Sequence, residues 1–475
     1  MIEEYQQQLA GALELILRSD IQRSKKMEFF GEVRHAVGRS ALLLSGGGMM
    51  GMYHIGVVQT LIETDSLPKV IAGSSAGSII ASMLGTHSRD DIFNKDVFSF
   101  EAFIKNKKEN LFRQVRRAGR EGTVLDIRVL QQFLRDNIGE YTFQEAYDKF
   151  GTILNITVTG STQHDSDRLL NYLTAPNVLI WSASAASCAI PYVYGAADLY
   201  CKNRLGNIEK YTLMNRKFLD GSIGQDLPMN QLSILFNVNN FIVSQTNPWA
   251  PLFMDYTEEM RGFNSFMTSP VLILAHRIKE FVLSEIRHRA SQLAYVFPSA
   301  ITKFFNLVTQ SYVGDITIWP KPTLQDYREL LDNPQSFDML ARYVQGGKQR
   351  TFHKVHHIRS TMFMEKQIDK SYRKIKNASR MEFFLSNREI MDVEDEERMM
   401  KSVLEEEREW DSDDDLLDQS ERGHRRLFKK VSLGEVGRRA MRRTSIEEKN
   451  VLVDSQKLQH RNDSFLLPRE NSVVR

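Results

Sequence analysis

With only two cysteines, Cys188 and Cys201, in 475 residues, the chain carries no disulfide framework, and its free thiols point to a reducing compartment. Neither cysteine sits in a basic or glycine-rich turn, which argues against a thiol nucleophile. Long apolar runs are missing too. The stretch from Pro270 to Ala275 is short and is followed by His276, Arg277 and Lys279, so no 18-residue span for a membrane is expected. Residues 1–8 are acidic and polar with no uninterrupted apolar core behind them, so no secretory leader is expected. A formal charge of +2 singles out no class of partner. What the chain does have is 42% hydrophobic residues against 26% charged, enough for one large core with appendages.

Chemistry concentrates between Arg39 and His87. The apolar run Ala41-Leu42-Leu43-Leu44 ends in Ser45-Gly46-Gly47-Gly48, and an amphipathic segment follows. A second apolar run, Val70-Ile71-Ala72, breaks at Gly73-Ser74-Ser75-Ala76-Gly77, after which small and apolar residues up to Leu84 suit a helix. These are two strand-turn-helix units in succession. Gly-x-Ser-x-Gly between a strand and a helix is the pattern of a nucleophile elbow, whose sharp turn leaves no room for side chains at the flanking positions. Ser75 is therefore the candidate nucleophile, with Gly73 and Gly77 its steric requirement.

Consecutive glycines at 46, 47 and 48 let backbone N–H groups converge on one point, with the positive end of a helix dipole aimed there. An oxyanion hole is favoured over a phosphate cradle or a plain turn. No Lys-Ser/Thr pair follows the glycines, and a candidate serine lies close downstream. None of the 11 histidines stands in a context that marks it as the base, although His54, His87 and His164 lie near loop-like stretches. Asp220 follows the strand-like Lys217-Phe218-Leu219 and precedes Gly221-Ser222, an Asp-Gly step that by itself is usually only a turn.

The glycine triple, Gly-Ser-Ser-Ala-Gly and a later strand-end Asp-Gly, in that order, resemble a patatin-like phospholipase domain. Residues 38–48, Tyr53-His54-Ile55-Gly56-Val57-Val58, Ile71–Ala81 and Asp315-Ile316-Thr317-Ile318-Trp319-Pro320 are similar to the yeast and plant triacylglycerol-lipase branch, over roughly residues 25–365. The resemblance implies an α/β fold: a three-layer sandwich with a central, mostly parallel sheet and a nucleophile elbow. It further implies a Ser75–Asp220 dyad without histidine, with Gly46, Gly47 and Gly48 as the oxyanion-hole loop and Gly73, Gly77 and Gly221 as motif glycines. Asp226 is the substitute if Asp220 is structural. No metal or organic cofactor is implied. Two departures stand out: Met49-Met50 replace the arginine that many patatins carry after the glycines, and the base motif reads Asp-Gly-Ser.

The organisation implied is a helical accessory segment at 1–38, a catalytic domain at 39–260, a helical region at 261–385 that completes or caps it, and a charged, disordered tail at 386–475. From 391 to 418 there are 14 acidic and 3 basic residues, and from 422 to 443 there are 9 basic and 1 acidic. Basic and apolar residues interleave between Phe98 and Glu121 in a pattern suited to an anionic lipid surface. The function expected is lipid acyl hydrolysis, first of all of triacylglycerol, by a peripheral, intracellular protein on a lipid droplet or the endoplasmic reticulum membrane. Its partners would be a neutral lipid or phospholipid and the surface that carries it, with no nucleic acid. A phospholipase A or lysophospholipid transacylase of the same mechanism is the alternative, and a non-catalytic lipid-droplet scaffold the alternative of another class.

Overall fold

The structure is a computed structural model. It describes residues 2–94, 97–98, 127–160, 168–189, 197–211, 218–220, 227–248, 250, 277–278, 281, 285, 313–330 and 336–387. The basic segment beyond residue 100, nearly all of 261–310, the tail beyond 387, and His164, Gly221, Ser222 and Asp226 lie outside the described residues.

Among the described residues a seven-stranded sheet organises the chain. Its order is β4 (Arg168–Leu170), β3 (Ile153–Gly160), β2 (Val70–Gly73), β1 (Arg39–Leu44), β8 (Val238–Ser244) and β9 (Ile316–Ile318), with β7 (Phe218–Asp220) also on β3. The β3/β2, β2/β1, β1/β8 and β8/β9 pairs are parallel, while β4 and β7 run antiparallel to β3. A two-stranded hairpin, β5 (Tyr200–Lys202) with β6 (Ile208–Lys210), stands apart from it.

The strands form where the sequence is apolar without alternation, because both faces of the sheet are covered. Leu42, Leu44, Ile71, Leu154, Ile156 and Ile242 enter one core cluster, while Ala41, Leu43, Val70, Ala72, Ile153 and Val243 enter a second. Successive side chains on a strand point to opposite faces, so the two clusters are the two sides of the sheet. The first cluster draws on α3 (Tyr53–Glu63), α4 (Ala76–Gly85), α6 (Ile127–Ile138), α8 (Ile180–Ser187) and α11 (Phe337–Phe352). The second draws on Leu232 and Phe236 of α9 (Met229–Phe236). Helices on both faces of a mostly parallel sheet make the three-layer α/β arrangement.

Further helices complete the described elements: α1 (Ile2–Arg18), α2 (Arg23–Val37), α5 (Arg89–Asn94), α7 (Phe143–Phe150), α10 (Leu324–Arg328) and α12 (Val355–Asn387). In α1 the spacing of Leu9, Leu13, Ile16 and Leu17 marks the inward face: Leu13 is buried and the other three half-buried, while Leu15 is exposed. Among the described residues no helix is long and apolar enough to cross a membrane. The chain divides into two compact units, Met1–Ser371 and Tyr372–Arg475; of the second only the helical stretch up to Asn387 is described.

One stretch differs from what its residues suggest. The run from Val178 reads as a strand passing into a helix, yet Val178 forms only a single antiparallel bridge to Cys201, and helix α8 begins at Ile180. Every residue of α8 is buried, and a short apolar run looks the same in a buried helix as in a central strand.

Candidate active site

Strand β2 ends at Gly73, and α4 begins at Ala76. Ser75 lies between them at φ +50°, ψ −124°, and is 4% exposed. A positive φ in a residue with a Cβ costs about 1–3 kcal/mol and persists only where the surroundings hold it. Here the surroundings are hydroxyls. The Ser75 N–H donates to Ser187 Oγ at 2.9 Å, and Ser187 Oγ donates to the Thr157 carbonyl on β3 at 2.7 Å. Ser78 Oγ donates to the Ser75 carbonyl at 2.7 Å.

The flanking glycines are there for space. A Cβ on Gly73 would lie 2.5 Å from the Gly77 carbonyl oxygen, and one on Gly77 would lie 2.2 Å from the Leu44 carbonyl oxygen. The Ser74 N–H also donates to that Leu44 oxygen at 3.1 Å. The elbow is thus pressed directly against the end of β1, where the glycine loop starts.

The loop runs Ser45-Gly46-Gly47 into a 3-10 turn, Gly48–Met52, and then into α3. Gly48 takes φ +55°, a conformation that glycine reaches without cost. The Met49 N–H donates to the Leu330 carbonyl at 2.9 Å and the Met50 N–H to the Gly47 carbonyl at 3.1 Å. The Gly47 and Gly48 N–H groups, at the opening of the turn where helical donors are left over, bond to no described residue. Loop and elbow touch: a Cβ on Gly51 would fall 2.5 Å from the Ala76 Cβ. Met49, Met50 and Met52 are buried, so the positions after the glycines serve the core and present no charge.

Two anchors hold this loop. On one side the segment that supplies Leu330 is fixed by a capping box, in which the Thr323 N–H donates to Asp326 Oδ2 at 2.6 Å and the Asp326 N–H donates to Thr323 Oγ1 at 3.3 Å. The Tyr53 hydroxyl donates to the same carboxylate oxygen at 3.3 Å. Burial, and then the Asp326 charge, push the Tyr53 phenol well above its ordinary range. On the other side lies His54, fully buried, with Nδ1 2.7 Å from Ser244 Oγ and Nε2 2.9 Å from the Ser45 carbonyl. Both ring nitrogens are occupied, so His54 is not available to take a proton from Ser75. His87 bonds the Met83 carbonyl and Thr86 at the far end of α4, roughly 15 Å along the helix from the elbow.

Asp220 ends β7 opposite Val158, and Val158 also pairs with Arg168 of β4. A residue in a sheet has one neighbour at each edge, so β4 and β7 flank β3 on opposite sides. Strand β2 occupies the β7 side only as far as Gly73, opposite Ile156. The backbone of Asp220 therefore stands on the β3 edge that β2 vacates at the elbow, two residues beyond the last β2 pairing. Its side chain lies outside the described residues.

Cys188 is buried, and burial followed by the Glu209 charge raises the Cys201 thiol, the reverse of an activated nucleophile. Two surface cavities, of about 750 and 390 Å³, are lined by residues including Glu145 and Lys202 in one and Leu170 and Ile234 in the other; neither is lined by Ser75 or the glycine loop.

Ser187 and His54 carry most of the bracing, and the sequence marked neither for that role. Ser187 stands in the Ala/Ser-rich run Ser184-Ala185-Ala186-Ser187, a composition that by itself suits close helix packing.

A family model described as patatin-like phospholipase matches residues 42–233. The chain is 36% identical over 384 residues to triacylglycerol lipase SDP1L of Arabidopsis thaliana, covering 78% of this chain and 47% of that protein. It is also 36% identical over 392 residues to triacylglycerol lipase 4 of Saccharomyces cerevisiae, covering 79% and 43%. With triacylglycerol lipase ptl3 of Schizosaccharomyces pombe it shares 32% over 385 residues, covering 79% and 78%. The chain thus spans about half the length of the first two and most of the third. Together with the strand-elbow-helix unit and its adjoining glycine loop, these matches show that the chain belongs to the patatin-like phospholipase family.

Proposed function

We propose that the protein is a serine lipid acyl hydrolase whose first substrate is triacylglycerol, with Ser75 as nucleophile, Asp220 as base and the Gly46–Gly48 loop as oxyanion hole. The observation that carries this reading is the braced Ser75 elbow, set against a glycine turn with two N–H donors uncommitted among the described residues. The names of the relatives favour triacylglycerol over other esters.

In the first step Ser75 Oγ attacks the ester carbonyl carbon and its proton passes to the Asp220 carboxylate. The carbonyl oxygen becomes an oxyanion that accepts hydrogen bonds from the loop amides, worth on the order of 3 kcal/mol for each donor. The C–O bond to the glyceride breaks, and Asp220 returns its proton to the departing alkoxide. Water then adds to the acyl-Ser75 ester, giving a proton to Asp220, and fatty acid leaves as Ser75 is reprotonated. A free carboxylate is a weak base, with a pKa of about 4. Asp220 must therefore draw its effectiveness from a fixed place beside Ser75, and the register of β7 on the edge that β2 vacates supports such a place.

A phospholipase A or transacylase would share all of these steps and differ in the ester bound or in the acceptor that replaces water. Oleate release from emulsified triolein, beside phosphatidylcholine with and without a lysophospholipid acceptor, distinguishes them. The proposal expects release from triolein that falls to background in Ser75→Ala and Asp220→Asn. Activity confined to phosphatidylcholine would move the substrate, and equal release by Ser75→Ala would remove the site. A lipid-droplet scaffold without catalysis predicts no release from either lipid. For the droplet or endoplasmic reticulum surface as the place of action, flotation of the protein with triolein droplets is the check.

A further inference from the structure

We infer that His54 is a positioning residue: it locks the glycine loop onto the end of β8 and so sets where the Gly47 and Gly48 N–H groups point. This rests on the reading of that loop as an oxyanion hole.

The hydrogen bonds fix the tautomer. The Ser45 carbonyl can only accept, so Nε2 carries the proton and donates to it at 2.9 Å. Nδ1 is then an acceptor and takes the Ser244 hydroxyl proton at 2.7 Å. Thr246 Oγ1, 3.1 Å from Nε2, shares the same N–H as a second acceptor. Each partner is bound to the loop in turn. The Ser45 N–H donates to the Ser244 carbonyl at 3.1 Å, and the Thr246 N–H donates to Ser45 Oγ at 2.7 Å. The Thr246 carbonyl oxygen lies 2.4 Å from where a Cβ on Gly47 would be. One imidazole therefore joins the first residue of the loop to the two β8-end residues on which the loop rests.

A core-filling role alone would not call for an imidazole here. Burying a ring with two polar nitrogens costs free energy unless both are satisfied, and an aliphatic side chain would fill the space without that cost. Every hydrogen-bonding partner is uncharged. Burial lowers the imidazole to about 4, so the ring is neutral and the assigned tautomer holds across the neutral range. Beyond the glycines the loop is held by the Met49 N–H on the Leu330 carbonyl. The free donors hang between these two points, and releasing either lets them turn away.

The test uses the full-length protein and a soluble ester, p-nitrophenyl butyrate, so that lipid-surface binding does not enter. Wild type, Ser75→Ala, His54→Leu, His54→Gln and Thr246→Val are compared for kcat, KM and melting temperature. His54→Leu should lower kcat by about 10- to 100-fold, a large part of what a lost oxyanion donor costs, with KM within about 2-fold. His54→Gln, whose amide can donate to the Ser45 carbonyl in place of Nε2, should recover at least about 5-fold of that loss at a similar melting temperature. Should His54→Leu fail to fold, Thr246→Val carries the test with an expected kcat loss of about 3- to 10-fold. A folded His54→Leu with wild-type kcat overturns the inference, as does a kcat that follows melting temperature alone with no recovery by glutamine, or an unchanged kcat in Thr246→Val. If wild type hydrolyses the ester no faster than Ser75→Ala, the site reading falls first and takes this one with it.

Discussion

At the elbow a residue with a side chain, Ser75, is held at φ +50°, while next to it Gly48 reaches φ +55° with no Cβ to resist. The first conformation is strained and is kept by two serine hydroxyls, one of them on Ser187, 112 residues away. The second is unstrained, and what the loop needs is direction, supplied by His54 with Thr246 on one side and Leu330 on the other. At this elbow a residue that keeps its side chain is held in an uncommon backbone region by neighbouring hydroxyls. An oxyanion hole offers backbone alone, so its residues can be glycines and its constraints lie in the neighbours.

Breaking the steric side of this comparison should have the largest effect. Gly77→Ala places a methyl 2.2 Å from the Leu44 backbone oxygen, with no flexible side chain to move aside. We expect a loss of about 3 kcal/mol in chemical denaturation and no measurable ester hydrolysis. Gly48→Ala should be milder for the fold, costing about 1–2 kcal/mol for the left-handed backbone. Its methyl meets the Leu330 carbonyl oxygen at 2.4 Å, so kcat should fall by roughly 100-fold as the loop donors shift.

Ser187→Ala sharpens the comparison from the other side. It leaves the Ser75 N–H and the Thr157 carbonyl buried without their partner, for an expected loss of about 2 kcal/mol. The kcat on a soluble ester should drop about 10-fold, while Ser187→Thr, which keeps the hydroxyl, should retain most of it. The remaining effect is one of pH. The His54 imidazole is lowered to about 4 in the folded protein from an ordinary 6.5. Its contribution to stability is complete above the unfolded value and is lost as pH falls toward the folded one. Urea midpoints of wild type and His54→Gln should therefore draw together between pH 7 and pH 5, since only the wild type carries that proton linkage.

The sheet was legible where strands are buried on both faces: Ala41–Leu44, Val70–Ala72 and Phe241–Ser244 are continuous apolar or small runs, and nothing else folds so readily between two helical layers. The elbow was legible because sterics force glycine onto fixed offsets from Ser75. The three-residue strands β4 and β9 and the hairpin β5–β6 are too short to show a period, while β7 shows in the strand-like Lys217-Phe218-Leu219 before Asp220. The sequence does not mark where the extended residues give way to α8, because burial on all sides erases the difference between strand and helix. The roles of Ser187 and His54 were hidden for another reason. A serine among alanines and a histidine after a glycine loop acquire a role only when residues 112 and 190 positions away become their partners. Asp220 was marked by its strand-end Asp-Gly step and took its role as base from the family resemblance, and the register of β7 gives its backbone a place on the edge that β2 leaves at the elbow.

The most direct test of the account is peptide mapping of the protein after reaction with a fluorophosphonate, which phosphonylates only an activated serine. The account predicts a single adduct on the peptide that contains Ser75, absent from Ser75→Ala and much slowed in Asp220→Asn. An adduct on another serine, or labelling that Ser75→Ala leaves unchanged, would contradict it.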